Sequence, residues 1–320
     1  QCTALEELTL PYAGTSLETV NKADSQINVV TRLFDSAGGE KTYKTYYNGY
    51  PEYIPYSLKK ITITGGTRIP NYAFDGFSGV TEIVVPESIT SIGNYAFRNC
   101  SSMISANLTN KLVSIGNHAF SGCSSSKLSS VKFPSSLTTI GAEAFNGCAG
   151  LTSIVVPGTV EKIGDYAFGN CTGLKSAVIK DGVGSIGEYI FDQCTALEEL
   201  TLPYAGTSLE SVNKADSSQY VVTRLFRYSV SDKTYAVNYI GYNRYVPNSL
   251  KKITITGGTR IPSNAFYGFS KVTEIVTPES ITSIGDYAFY NCSSMTNANL
   301  TSKLVSIGEG AYKGCSSSKL

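Results

Sequence analysis

The chain repeats one short motif, I-G-x-x-A-F-x-x-C, mostly every 23 residues along nearly all of its 320 residues. A fixed period of this size is typical of a solenoid, because a single unit cannot bury its own apolar face and must stack on its neighbours. The motif therefore predicts stacked coils and not a globular enzyme. The phenylalanine slot is filled by Phe74, Phe97, Phe120, Phe145, Phe168, Phe191, Phe266, Phe289 and, in the last copy, Tyr312.

One coil runs from Leu151 to Cys171 and shows the pattern of the others. Ile154 and Val156 alternate with other residues, which predicts a strand with one buried face, and Pro157 ends it. The spacing from Ala167 to Cys171 fits one short 3₁₀ or α turn. The predicted fold is mostly β with short helical turns, and each coil of about 23 residues adds one strand to a parallel sheet, about 4.8 Å from the last.

The glycine of the I-G pair is replaced in two coils by proline, at Pro70 and Pro262. Proline holds φ near −65°, so this slot does not require the positive φ that glycine often supplies. A first helical position accommodates both residue types and is the predicted conformation.

All eight cysteines occupy one slot of the repeat, and Phe77 and Phe269 fill the same slot in two further coils. Disulfides and zinc sites need cysteines that converge, whereas residues in one slot of a solenoid point in parallel. We therefore expect free, buried thiols that act as small apolar groups, and no metal or other cofactor.

A second, larger repeat is superimposed on the first. Residues 1–128 match 193–320 at an offset of 192, with 32 differences, so the chain reads as a super-repeat, 1–192, followed by a truncated copy, 193–320. The whole of 1–320 is predicted to be a single solenoid of about ten coils, cut from a longer array. One coil in each copy is stretched by insertions, at about 12–28, 35–57, 204–220 and 227–249.

Fourteen of the 32 differences fall between Asp35 and Tyr56, inside one insertion, as expected of an exposed loop. The insertion nevertheless keeps four tyrosines in both copies. These rings either form a contact patch for a ligand, since tyrosine combines an apolar face with a polar tip, or cover the coil beneath and hold the loop down. The tyrosines are Tyr43, Tyr47, Tyr50, Tyr53, Tyr235, Tyr239, Tyr242 and Tyr245.

Charge and composition exclude several functions. The formal net charge is +1, from 26 basic and 25 acidic residues, so there is no broad electrostatic footprint for nucleic acid. No apolar run is long enough to insert into a membrane. The outward strand positions carry charges of both signs, which we take as a second candidate binding surface. They are Lys59, Lys60, Glu82, Lys132, Lys175, Glu198, Glu199, Lys251, Lys252 and Glu274.

Catalysis is not expected. The chain has one histidine, His118, and the matching residue of the second copy is Gly310. A catalytic group would hardly be replaced by glycine in a close duplicate, and no nucleophile–histidine pairing or carboxylate cluster stands out.

The coils resemble the BspA-like class of leucine-rich repeats, with the pattern L-x-x-I-x-[IV]-P-x-x-[VI]-x-x-I-G-x-x-A-F-x-x-C. It is matched at Val80–Cys100, Leu151–Cys171 and Val272–Cys292. The stretched coils are similar to those of surface proteins of gut Firmicutes, where a Tyr/Ser-rich loop leads into P-x-S-L-K, here Pro55–Lys59 and Pro247–Lys251. The resemblance implies a leucine-rich-repeat solenoid, secretion or attachment to the cell surface, and adhesion; some members have been linked to fibronectin and fibrinogen binding.

Three functions remain open from the sequence. The first is an adhesin module that recognises host or neighbouring-cell proteins through the charged strands. The second is a glycan-binding module in which the loop tyrosines stack on sugar rings. The third is a passive stalk that spaces other domains from the wall. The signal and anchor of a secreted protein would lie outside this segment.

Overall fold

The computed structural model describes residues 4–13, 30–34, 42–47, 50–205, 222–227, 231–239, 242–297 and 300–316. The chain divides into two compact units, residues 1–151 and residues 152–320, and each is described by itself. Both are built from short parallel strands. Regular helix in the described ranges is limited to 3₁₀ segments at Val30–Leu33 and Val222–Leu225.

Nine of the ten described strands of the first unit form two parallel sheets and one antiparallel hairpin. The first sheet has the order β1-β4-β6, and a second row pairs β5, β7, β8 and β10. Strand β2 pairs antiparallel with β3. The strands are β1 (Glu7–Leu10), β2 (Thr42–Tyr47), β3 (Tyr50–Pro55), β4 (Lys60–Ile63), β5 (Arg68–Ile69), β6 (Glu82–Val84), β7 (Ser91–Ile92), β8 (Ser114–Ile115), β9 (Ser130–Val131) and β10 (Thr139–Ile140).

The second unit repeats this plan. Its parallel sheet runs β11-β13-β15-β18-β20, shorter rows pair β12 with β14 and β19 with β21 and β22, and β16 forms an antiparallel hairpin with β17. The strands are β11 (Ser153–Val156), β12 (Lys162–Ile163), β13 (Ser176–Ile179), β14 (Ser185–Ile186), β15 (Glu199–Leu202), β16 (Thr234–Tyr239), β17 (Tyr242–Pro247), β18 (Lys252–Ile255), β19 (Arg260–Ile261), β20 (Glu274–Val276), β21 (Ser283–Ile284) and β22 (Ser306–Ile307).

In the observed register, residues from the same slot of successive coils are partners on neighbouring strands. Ile69, Ile92, Ile115 and Ile140 are successive partners on β5, β7, β8 and β10, and all four side chains are buried. The phenylalanines stack in the same way: Phe120 lies between Phe97 and Phe145, at ring-centroid distances of 5.0 Å and 5.1 Å. The predicted solenoid of parallel strands is thereby confirmed.

The segment after each I-G pair is a series of tight turns, not one continuous helical turn. Its bonds run between residues three apart, as from the N–H of Arg98 to the carbonyl of Tyr95. Two positions per coil adopt a left-handed conformation, for example Tyr95 at φ 59° and Asn99 at φ 60°. A left-handed residue breaks a helical run, which is why the predicted short helix becomes turns.

The glycine of the I-G pair is required by close packing. A Cβ on Gly116 would lie 2.7 Å from the backbone nitrogen of Asn94 and 2.7 Å from the carbonyl carbon of Gly93. None of the glycines described in this slot has a positive φ, in agreement with the proline substitutions. The slot therefore selects glycine because the backbones of two coils touch there.

The seven described cysteines, Cys100 to Cys315, are free, and six of them are buried; Cys2 lies outside the described residues. Six of these thiols bridge two coils by donating to a phenylalanine carbonyl: those of Cys100, Cys123, Cys148, Cys194, Cys292 and Cys315. Sγ of Cys100 lies 3.2 Å from the carbonyl oxygen of Phe74, and Sγ of Cys123 lies 3.1 Å from that of Phe97. The slot therefore needs a small apolar group that can also act as a weak donor.

We expect these thiols to resist modification in the folded protein. The thiolate is the reactive form, and burial raises the pKa of both Cys123 and Cys194 well above the ordinary value. With a maleimide reagent at pH 8, peptide mapping should find Cys315 labelled first, because it alone of the seven is half-exposed. Rapid labelling of Cys123 in the absence of urea would contradict the buried column.

Candidate functional site

A row of exposed charges crosses the first sheet of the first unit. Glu7, Lys60 and Glu82 are direct partners on β1, β4 and β6. Nζ of Lys60 lies 3.5 Å from Oε2 of Glu82, and about two-fifths of each side chain is exposed. The neighbouring Lys59 is exposed and donates from Nζ to the carbonyl of Gly79 at 3.2 Å. The strand register therefore assembles an acidic–basic–acidic row from residues far apart in sequence.

The second unit carries the same row. Glu199, Lys252 and Glu274 are partners on β15, β18 and β20, and Nζ of Lys252 lies 3.0 Å from Oε1 of Glu274. Lys251 donates to the carbonyl of Lys271 at 3.4 Å. We call Glu7, Lys60 and Glu82, and likewise Glu199, Lys252 and Glu274, the charged rows. The remaining predicted strand charges are exposed next to strands: Lys132, Lys175 and Glu198.

The tyrosine-rich insertions contain antiparallel hairpins, which the sequence did not predict. In β2–β3, Tyr43 is the partner of Ile54 and Tyr47 that of Tyr50; in β16–β17, Tyr239 is the partner of Tyr242. Each hairpin therefore contains four of the eight predicted tyrosines.

The second hairpin has one face against the coils and one face outward. Tyr235 and Val237 share a face with Arg244 and Val246, and the last three side chains are buried. Tyr245 lies on the other face, opposite the exposed Ala236. In the first hairpin the corresponding Tyr53 is half-buried and lies opposite the exposed Lys44.

Tyr235 helps to hold its hairpin in place. Nζ of Lys271 lies 5.4 Å from the centre of the Tyr235 ring and donates to Oδ1 of Asn248 at 2.6 Å. The Tyr235 hydroxyl is buried, and this burial raises the pKa of the side chain. Val237 packs on Gly268, where a Cβ would lie only 2.9 Å from Cγ1 of the valine. For Tyr235, ring and hydroxyl thus face the protein, while Tyr53 and Tyr245 remain accessible.

A stack of rings lies along the left-handed positions of the first unit. Tyr95 lies between Tyr72 and His118, with centroids 4.8 Å and 4.6 Å apart and nearly parallel planes. Arg98 lies over the Tyr95 ring at 4.8 Å and forms two hydrogen bonds to Asp75, at 2.9 Å and 2.6 Å. This stack was not predicted from the sequence, because tyrosine is not a usual left-handed residue.

In the second unit the Asp75–Arg98 pair is replaced as a whole. Tyr267 and Tyr290 occupy the matching positions and stack at 4.7 Å. An ion pair between two coils has thus been exchanged for a ring pair between two coils. These two contacting positions have therefore changed together between the copies.

The histidine, His118, contacts neighbouring coils of the first unit through both its ring and Nδ1. Nδ1 of His118 lies 3.4 Å from Oε2 of Glu143, and its ring is covered on one face by Tyr95. No group of three or more His, Cys, Asp or Glu among the described residues could hold a metal ion. In the same part of the chain, no helix has the length and apolar character needed to cross a bilayer.

Stacked coils with one or two short parallel strands each, ladders of Phe, Ile and Cys inside and variable polar residues outside, define a leucine-rich-repeat protein. The family model described as BspA type leucine rich repeat region matches six copies, over residues 53–175, 124–231 and 236–320. The chain belongs to this family, as its motifs suggested.

Among solved structures, a leucine-rich repeat protein of T. pallidum is 29% identical over 44% of this chain, with a TM-score of 0.40; the match spans 65% of that protein. A leucine-rich repeat protein of Bacteroides ovatus is 23% identical over 87% of this chain and 84% of its own, with a TM-score of 0.39. A leucine rich cell surface protein of Faecalibacterium prausnitzii is 22% identical over 87% of this chain and 72% of its own, with a TM-score of 0.34. The comparison with curated proteins finds no match.

Proposed function

We propose that this chain is a non-catalytic binding module, secreted or displayed at a cell surface, that recognises an extracellular protein through its charged rows. One supporting observation is the family, together with a structural relative that is named a cell surface protein. The observation that carries the proposal is the identity of the rows in the two copies. Glu7, Lys60 and Glu82 recur as Glu199, Lys252 and Glu274.

Stability does not explain why these charges are the same in both copies. The ion pairs Lys60–Glu82 and Lys252–Glu274 are about two-fifths exposed, and exposed pairs contribute only about 0–1 kcal/mol. Nearby positions of the insertion changed freely, with fourteen differences between Asp35 and Tyr56. Identical rows in the two copies, beside an insertion that has changed, fit a surface used for recognition.

The chemistry of the rows indicates a protein partner with charges of alternating sign. A row of acidic, basic and acidic groups matches a complementary row on a folded surface, and such complementarity sets specificity and association rate. The near-zero net charge of the chain gives no general attraction for polyanions. Because the Debye length is about 8 Å at physiological salt, binding through exposed rows should weaken as salt is raised.

The test is binding to immobilised extracellular matrix proteins, with fibronectin and fibrinogen in the panel. Combining Lys60→Glu with Lys252→Glu makes each row wholly acidic and is expected to weaken binding at least tenfold, about 1.4 kcal/mol. The matched control combines Lys111→Glu with Lys303→Glu, since these exposed lysines also correspond in the two copies but lie outside the rows. The control is expected to bind like the wild type.

A second candidate is glycan binding by the outward tyrosines, since Tyr53 and Tyr245 lie on the accessible hairpin faces. Changing both to serine is expected to leave matrix-protein binding within twofold. If binding is lost with the tyrosines and retained after charge reversal, the charged rows are not the site. Absence of binding to every protein of the panel would favour the passive stalk.

A further inference from the structure

A polar groove lies on the first unit, along β5, β7, β8 and β10. It encloses about 310 Å³, and its lining contains one cation, Arg68, and no acidic residue. The glycines of the I-G pairs, Gly93, Gly116 and Gly141, also line it, and a Cβ on any of them would clash with the backbone of the preceding coil. The groove is separate from the charged rows and from the hairpins, whose residues do not line it.

Three asparagines form a ladder along this groove. Oδ1 of Asn71 accepts from the backbone N–H of Asn94 at 2.7 Å, and Oδ1 of Asn94 accepts from that of Asn117 at 2.8 Å. Oδ1 of Asn117 accepts from the N–H of Ala142 at 2.9 Å. Each asparagine thus ties its coil to the next with its oxygen. We call Asn71, Asn94 and Asn117 the amide ladder.

The oxygen bonds leave the amide nitrogens available. Within the described part of the chain, Nδ2 of Asn71, Asn94 and Asn117 and the hydroxyls of Ser91 and Ser114 make no hydrogen bond to protein. All five groups line the groove. Repeated amide and hydroxyl donors beside a guanidinium suit a ligand rich in acceptors and carrying negative charge.

The duplicated copy supplies an internal comparison. Arg68, Ser91 and Ser114 are retained as Arg260, Ser283 and Ser306, but all three ladder residues are changed. Their counterparts are Ser263, Asp286 and Glu309, and the first two keep the bond between coils: Oγ of Ser263 accepts from the backbone N–H of Asp286, and Oδ1 of Asp286 accepts from that of Glu309. Tying coils together therefore does not need asparagine.

What differs between the copies is the surface chemistry. The first copy presents amide donors, whereas the second presents a hydroxyl and two carboxylates, which repel anions. Elsewhere in the second unit the slot is also acidic, at Asp165 and Glu188. The first unit is thus the place where this slot is neutral and donor-rich in successive coils.

We infer that the groove along the amide ladder binds an acidic oligosaccharide, with uronic acid carboxylates directed to Arg68 and acceptor oxygens to the ladder. The donors recur once per coil, about 4.8 Å apart, and the groove spans about 14 Å over four coils. A sugar ring in an extended chain advances by about the distance between two coils. An extended peptide advances about 3.3 Å per residue and does not keep this register.

The experiment exchanges the ladder between the copies. Asn71→Ser, Asn94→Asp and Asn117→Glu are combined in one variant; Ser263→Asn, Asp286→Asn and Glu309→Asn are combined in a second. Both use residues that the fold already accommodates in that slot, and circular dichroism checks that each variant folds. Isothermal titration calorimetry measures binding of uronic-acid oligosaccharides, namely hyaluronan, alginate and galacturonate fragments, with a neutral chitin oligosaccharide and poly-glutamate as comparisons.

The wild type is expected to bind at least one uronic-acid oligosaccharide, more tightly than the chitin fragment and poly-glutamate. The first variant should bind it at least tenfold more weakly, and the second should bind it more tightly than the wild type or with a second site. Equal binding by the wild type and the first variant, or no binding of any uronic-acid oligosaccharide, overturns the inference. Preferential binding of poly-glutamate would assign the groove to an acidic peptide and also overturn it. The charged-row variants should leave this titration unchanged, so the outcome is independent of the proposed function.

Discussion

Replacing Phe120 by alanine is expected to lower the free energy of unfolding by about 3–5 kcal/mol. The ring is fully buried and stacks on Phe97 at 5.0 Å and on Phe145 at 5.1 Å, so its removal leaves a cavity between two coils. Because protein interiors are closely packed, the neighbouring rings can move only partly into that cavity. Urea unfolding followed by far-ultraviolet circular dichroism measures the loss.

The matched control is Val113→Ala in the same coil. Val113 is 42% exposed and is expected to change the free energy of unfolding by no more than about 0.5 kcal/mol. Because a solenoid is held together by contacts between neighbouring coils, the Phe120 variant should also unfold over a broader range of urea. Equal effects of the two substitutions would contradict a packed column of rings.

Replacing Gly116 by alanine is expected to destabilise the protein by about 1–3 kcal/mol or more. The new Cβ would lie 2.7 Å from the backbone nitrogen of Asn94 and 2.7 Å from the carbonyl carbon of Gly93. Backbone atoms cannot rotate away, so two coils must separate. Thermal unfolding monitored by circular dichroism reports the change as a lower Tm.

Pro70→Ala is the comparison for this glycine, because Pro70 fills the same slot of another coil and already carries a Cβ. It is expected to cost less than about 1 kcal/mol, mainly through the greater freedom of the unfolded chain. If Gly116→Ala were as mild as Pro70→Ala, close backbone contact would not be the reason for glycine.

The interior of the fold could be predicted from the sequence because its determinants recur once per coil. The alternation of Ile154 and Val156 predicted a strand, and both residues lie on β11 with their side chains buried. The shared slot of the cysteines predicted free thiols, and those described are free. The residues that recur in every coil are those that pack in the interior, so the periodicity of the sequence predicts the core.

The left-handed positions were not predictable in the same way. Tyr72, Tyr95 and His118 have φ between 55° and 59°, although a bulky residue pays a conformational cost there. Their rings stack on one another between coils, and this contact appears only once the coils are in register. A rule that expects glycine or asparagine at left-handed positions therefore does not predict these residues.

The surfaces also depend on register. Glu7 and Lys60 are 53 positions apart in the sequence and become partners only through the pairing of β1 with β4. The sequence identified Lys60 and Glu82 as outward charges but not as neighbours. The amide ladder was missed because each asparagine, taken alone, is an ordinary turn residue.

Methyl nuclear Overhauser effects report whether successive coils stack in register. With isoleucine methyl labelling, cross-peaks are predicted between Ile69 and Ile92, between Ile92 and Ile115, and between Ile115 and Ile140, since these are partners on neighbouring strands. No direct cross-peak is predicted between Ile69 and Ile140. Absence of these three cross-peaks, or cross-peaks that pair Ile92 with residues of another slot, would show that the coils do not stack in this register.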